Sequence, residues 1–131
     1  MTAPSSETRM LACVAAALDR KAYDLVVLDT AALTSVADYF VICSGRSDTQ
    51  VQAITDAIEA ECKARGMQPL AIEGRQLGRW ALLDYGDVVV HVFYGPVRDF
   101  YELERLWVRA PRVALPEPYR SQAQRQKTGT D

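Results

Sequence analysis

The sequence predicts an α/β protein: a single domain in which a mixed five-stranded sheet is packed by helices. Three observations carry this expectation. Helical periodicity and short apolar runs interleave in the order helix, strand, strand, helix, three strands, helix. A short connector between the first two strands and a tight turn between the last two both imply antiparallel pairs. Between them, the strand–helix–strand segment from Asp38 to Ile72 implies a parallel crossover, so the sheet must be mixed.

Each element has its own warrant. Ser5 and Ser6 can cap a helix reaching about Arg20, in which Met10, Val14 and Leu18 repeat every four residues. Ala15, Ala16 and Ala17 favour that helix and leave little bulk on one side, which suits close packing. Leu25 to Leu28 reads as a first strand, and Ala31 to Val36 as a connector. Asp38 to Cys43 is apolar on both faces and belongs in the sheet interior. Ser44-Gly45-Arg46-Ser47 turns the chain, and Ser47 with Gln50 forms a capping box for the next helix. Val51, Ile54, Ala57, Ile58 and Cys62 share one face of it, and Gly66 stops it. Leu70 to Ile72 is a short third strand. Arg79 to Asp84 and Val88 to Phe93 form a hairpin through Asp84-Tyr85-Gly86-Asp87. Gly95-Pro96 opens a last helix that places Phe100, Leu103 and Trp107 on one face.

From Arg109 the character changes. Pro111, Pro116, Pro118 and a polar run from Ser121 to Asp131 predict that residues 109–131 are a disordered basic tail appended to a folded domain of residues 1–108. Truncation after Ala110 is then expected to leave thermal stability nearly unchanged. The tail holds five Lys/Arg and two Asp/Glu, whereas the chain as a whole carries −2. A net acidic protein has no general attraction to nucleic acid, and three net charges allow the tail at most incidental contact with ribosomal RNA.

Composition excludes several classes. At 131 residues and 49% hydrophobic, the chain suits one domain with a genuine core. Cys13, Cys43 and Cys62 form no CxxC pair and each lies in an apolar run, so they read as reduced, buried small hydrophobes. With a single histidine, a structural zinc site is not expected, nor is any cofactor. Met1-Thr2-Ala3-Pro4 lacks a basic region followed by an apolar stretch. No apolar run approaches the ~20 residues that span a bilayer, so a cytoplasmic location without membrane contact is expected.

Few residues suggest chemistry. His91 shares a sheet face with Val89 and Phe93, and without an activated nucleophile it reads as a half-buried, hydrogen-bonded residue, with Glu102 or Glu104 as partner. The Ser44-Gly45 turn stands where phosphate loops sit but lacks both glycine-rich signatures. Asp84 and Asp87 could be proposed as metal carboxylates, yet at the two ends of a turn they read as turn formers. Trp80, Leu82 and Asp84 share one face of their strand, and Ala81, Leu83 and Tyr85 the other. Apolarity on both faces gives one to the core and leaves one free, and Trp, Tyr and Arg are the residues that carry interface energy.

The ordered pattern Asp38-Tyr39-Phe40-Val41-Ile42-Cys43-Ser44-Gly45, Gln50-Val51-Gln52-Ala53-Ile54, Glu73-Gly74, Trp80, Leu83-Asp84 and Gly86-Asp87-Val88-Val89-Val90-His91-Val92-Phe93 resembles the ribosomal silencing factor (Iojap-like) family. Arg98, Tyr101-Glu102-Leu103-Glu104 and Leu106-Trp107 complete the match, which runs from about Leu25 to Trp107. The resemblance implies a translational repressor and not an enzyme. It would bind the large ribosomal subunit through that subunit's protein fourteen and block joining of the small subunit when nutrients are scarce. A role in large-subunit assembly is implied by organelle relatives. The family's likeness to nucleotidyltransferases implies such a scaffold without the catalytic carboxylates. Arg79, Trp80, Leu83, Asp84 and Tyr85 become the expected partner-binding residues. Two competing readings are a degenerate or undiscovered nucleotidyltransferase, resting on the Ser44-Gly45 turn and Asp84/Asp87, and a homodimer that uses the same sheet surface.

Overall fold

The structure, a computed structural model, describes residues 5–127. The Met1–Pro4 segment, read above as no leader, and residues 128–131 of the expected tail lie outside the described residues. Helix α1 (Ser6–Asp19) starts where Ser5 Oγ accepts a hydrogen bond from Thr8 N at 3.2 Å. Helix α2 (Asp48–Ala64) starts at Ser47, whose hydroxyl accepts from Gln50 N at 3.1 Å. The Gln50 side chain reaches back to Arg46 N, so the expected capping box closes one residue early.

Strands β1 (Tyr23–Asp29), β2 (Tyr39–Gly45), β3 (Ala71–Glu73), β4 (Trp80–Asp84) and β5 (Val88–Tyr94) form one mixed sheet in the order β1-β2-β5-β4-β3. β2 and β5 pair in parallel at the centre, and the other neighbours pair antiparallel. The crossover through α2 therefore carries the chain past two positions to the far edge. β4 and β5 then return to fill the gap beside β2. Phe40 to Gly45 of β2 and Val88 to Phe93 of β5 are buried throughout, as central strands require.

The two sheet faces are covered unequally. Val27, Val41, Cys43, Ala81, Leu83, Val88, Val90 and Val92 pack under α1 and α2 in the larger core. Leu28, Phe40, Ile42, Val89 and Phe93 form a smaller core on the other face. That face is covered by two short helices, α3 (Gly95–Tyr101) and α4 (Leu103–Leu106). The single last helix expected from the sequence breaks at Glu102, whose φ of 49° is left-handed. The break buries Leu103 and turns Phe100 out to 79% exposure, so these two do not share a buried face.

The expected disordered tail is corrected for residues 109–127. β1 is an edge strand whose outward backbone groups need partners. Asp29 N donates to Pro111 O at 2.8 Å, Val113 N donates to Val27 O at 2.8 Å, and Asp24 N donates to Gln126 O at 2.9 Å. Helix α5 (Tyr119–Arg125) returns over α1, with Ala123 in the main core and Gln122 Nε2 donating to Leu18 O. Backbone pairing between prolines has no side-chain period, which is why the sequence concealed it. Truncation after Ala110 is now expected to lower the melting temperature by several degrees, because it strips one edge of the sheet and uncovers α1. An unchanged melting curve by circular dichroism would contradict that docking.

Candidate partner-docking face

Strand alternation settles how β4 divides its side chains. Ala81 and Leu83 are fully buried and Tyr85 is 3% exposed, all on the face under the long helices. Trp80, Leu82 and Asp84 are half-buried on the opposite face. Leu83 and Tyr85 are thus core residues, which corrects the expectation that they touch a partner. Arg79 is exposed beside Trp80, at a shallow cleft lined also by Arg46, Leu77, Tyr94 and Val97. Asp84 Oδ1 accepts from Gly86 N at 2.8 Å, and its carbonyl accepts from Leu70 N at 2.7 Å, so this carboxylate shapes the turn. Asp87 has a different task. It pairs with Arg9 at 3.1 Å and accepts from Ser6 Oγ at 2.8 Å, holding the start of α1.

Trp80 is the centre of an aromatic panel. Its ring stacks on Phe93, directly opposite on β5, with centroids 4.8 Å apart, and it leans on Tyr101 at 5.1 Å. Its indole Nε1 donates to His91 Nδ1 at 3.1 Å. Phe40 meets His91 and Trp107 edge-on at 5.3 and 4.9 Å, and Phe100 meets Tyr101 at 5.1 Å. The panel runs Trp107, Phe40, His91, Trp80, Tyr101, Phe100 across the thinly covered face. Tyr101, at the α3 end of the panel, is more than half exposed, and Leu106 and Val108, which flank Trp107 in the chain, are exposed. Apolar side chains grouped this way are what a docking surface presents.

A glycine and a buried arginine fix this panel in two places. Gly74 has a φ of +80°, and a Cβ there would collide with the Trp80 carbonyl, so only glycine lets the loop pass beneath the start of β4. Arg98 is buried, pairs with Glu104 at 3.0 Å, and donates to Ser44 Oγ at 2.8 Å and to the Asp24 carbonyl at 2.7 Å. It staples α3 and α4 to the sheet and so orients Tyr101. The Ser44–Ser47 turn is occupied by the fold itself: Ser44 serves Arg98, and Ser47 caps α2.

His91 is held by Trp80 and not by the expected glutamates, since Glu104 engages Arg98 and Glu102 engages Arg105. An indole N–H only donates, so Nδ1 carries the lone pair and the neutral imidazole has its proton on Nε2. Nε2 is buried without a hydrogen-bond partner, and burial lowers the His91 pKa to about 4. The unfolded chain takes up this proton near pH 6.5, whereas the native one refuses it until about pH 4. Stability is therefore complete above pH 6.5 and is lost as the pH falls towards 4, by about 2 kcal/mol at pH 5. Urea unfolding at pH 6.5 and at pH 5 checks this, and equal midpoints would contradict a buried neutral His91.

Among the described residues, no group of three or more His, Cys, Asp or Glu side chains could hold a metal ion. No helix among them is long and apolar enough to cross a membrane. The sequence expectation named Trp80, Arg79 and Asp84 on or beside this face but missed Leu82, Tyr101 and Phe100. Leu82 was legible from its alternation with Trp80. The two residues of α3 were not, because their placement depends on the break at Glu102.

The model of a family described as ribosomal silencing factor during starvation matches residues 3–131. The chain is 48% identical over 101 residues to the ribosomal silencing factor RsfS of Bacillus subtilis, covering 77% of this chain and 86% of that protein. It is 40% identical over 111 residues to the protein of the same name from Halalkalibacterium halodurans, covering 85% of this chain and 95% of that one. A crystal structure of a Chromobacterium violaceum protein is similar with a TM-score of 0.79 at 33% identity, covering 90% of this chain and 99% of that one.

Proposed function

The chain belongs to the ribosomal silencing factor family, and from that premise we propose that it docks its aromatic sheet face on protein fourteen of the large ribosomal subunit. Seated there, a body of 14.6 kDa occupies space that the small subunit needs, and subunit joining is blocked sterically. The observation that carries this reading is the contiguous panel around Trp80, left half-covered by α3 and α4. Trp and Tyr bury large rigid surfaces at low entropic cost, and Arg79 at the rim can steer association.

The role is regulatory and needs no bond-making chemistry. Asp84 and Asp87 are committed to the turn and to α1, and the serines of the Ser44–Ser47 turn to the fold. This supports a non-catalytic factor, and the family match supports action on ribosomes in the cytoplasm under nutrient limitation. A role in assembling the large subunit would use the same face. The basic side chains of residues 109–127 remain at the surface and would touch ribosomal RNA only incidentally.

A sucrose gradient of cell extract tests the reading. The chain is expected to migrate with the large subunit and to be depleted from joined ribosomes. Migration only near the top of the gradient would contradict it. If instead a second copy covers the panel, the purified chain sediments as a dimer that large subunits do not dissociate.

A further inference from the structure

On the opposite side of the sheet, Cys13 of α1 and Cys62 of α2 face each other with sulfurs 3.7 Å apart and both side chains fully buried. We propose that these two thiols are an oxidation site, which a hydroperoxide closes into an intramolecular disulfide stapling α1 to α2. The packing supports it. The groove between the helices is lined by four alanines, Ala15, Ala16, Ala57 and Ala60, together with Asp19, Arg20 and Glu61. Rotation about the Cα–Cβ bonds, with slight helix approach, is what closure from 3.7 Å to about 2.05 Å requires.

The two thiols are also chemically unequal. The hydrogen bond between them is the largest influence on each: it lowers Cys62 to about 7 and raises Cys13 well above its usual value. Tyr85 further favours the Cys62 thiolate. Cys43 is the internal control, since burial alone raises it to about 12 and no thiol is paired with it.

The step balances. With hydrogen peroxide, the Cys62 thiolate attacks one oxygen, forming an S–O bond, breaking the O–O bond and releasing hydroxide, which takes up the proton that Cys62 had shed and leaves as water. The Cys13 sulfur then attacks the Cys62 sulfur, forming S–S and breaking S–O, and the departing hydroxide carries away the Cys13 proton as a second water. The sulfur pair loses two electrons and the peroxide gains them. Because both sulfurs are buried, reaction waits on transient opening of α1 and is slower than that of an exposed thiol.

The full chain is treated with hydrogen peroxide, alkylated under denaturing conditions, and read by intact mass and peptide mapping. The expected product has lost about 2 Da, keeps one alkylatable thiol, and yields a peptide joining Cys13 to Cys62. Its melting temperature should rise, by on the order of 5–10 °C, from closure of so long a loop. Affinity for the large subunit should be unchanged, since the panel lies across the sheet. Cys43→Ser should still lose the two hydrogens, and Cys62→Ser should not. Should Cys62→Ser fail to fold, the wild-type peptide map decides alone. Oxygen additions without a disulfide, a bridge involving Cys43, or no reaction at all would overturn the assignment.

Discussion

Trp80→Ala is expected to weaken binding to the isolated large subunit by about thirtyfold or more, equivalent to ~2 kcal/mol. The indole is the hub of the panel, touching Phe93, Tyr101 and His91, so its removal leaves a pit where the partner should meet a ridge. Truncation also takes the hydrogen-bond donor from His91 Nδ1 and the stacking from Phe93, so stability falls as well, by about 1–3 kcal/mol. Trp80→Phe separates the two effects. It keeps an aromatic ring on Phe93 and most of the stability, but loses the indole reach and the N–H. Affinity is measured by co-sedimentation at saturating folded protein, and stability by urea unfolding. Full affinity in Trp80→Ala would move the docking surface elsewhere.

Leu83→Ala is expected to do the reverse, although it is three residues away on the same strand. Leu83 is fully buried under the long helices, and deletion of such a side chain costs about 2–5 kcal/mol of stability through lost transfer energy and the cavity left behind. The folded fraction should bind the large subunit as the wild type does, because nothing on the panel has changed. Loss of affinity without loss of stability would show Leu83 to be reachable by the partner and would reverse the assignment of the two faces.

That pair also marks how far the sequence could be read. Alternation along β4 separates Trp80 from Leu83, and apolarity on both sides is plain in the residues. Which side receives the two long helices is not, because that depends on the crossover through α2 and on β5 entering between β2 and β4. Trp80 and His91 are neighbours only on the diagonal of the β4–β5 register, with Leu82 opposite His91, so the true partner of the histidine was invisible until the register was known. Helix α1 was clear from its caps and spacing. Its approach to α2 was not, and so three separate buried cysteines concealed one close pair. The segment from Pro111 to Gln126 was misread for a different reason. It is held by main-chain hydrogen bonds to β1 and by Val113, Leu115, Tyr119 and Ala123 on the main core, residues whose spacing follows no single helical or strand period.

The central claim is that the aromatic panel meets protein fourteen of the large subunit, and a photo-crosslinker placed at Tyr101 tests it most directly. Tyr101 is 54% exposed at the rim of the panel, while Lys63, exposed on α2 across the sheet, supplies the control position. Illumination with isolated large subunits should join the Tyr101 probe to protein fourteen and leave the Lys63 probe unattached to it. A crosslink to protein fourteen from Lys63 alone, or from neither position while the chain still sediments with the subunit, would contradict the account.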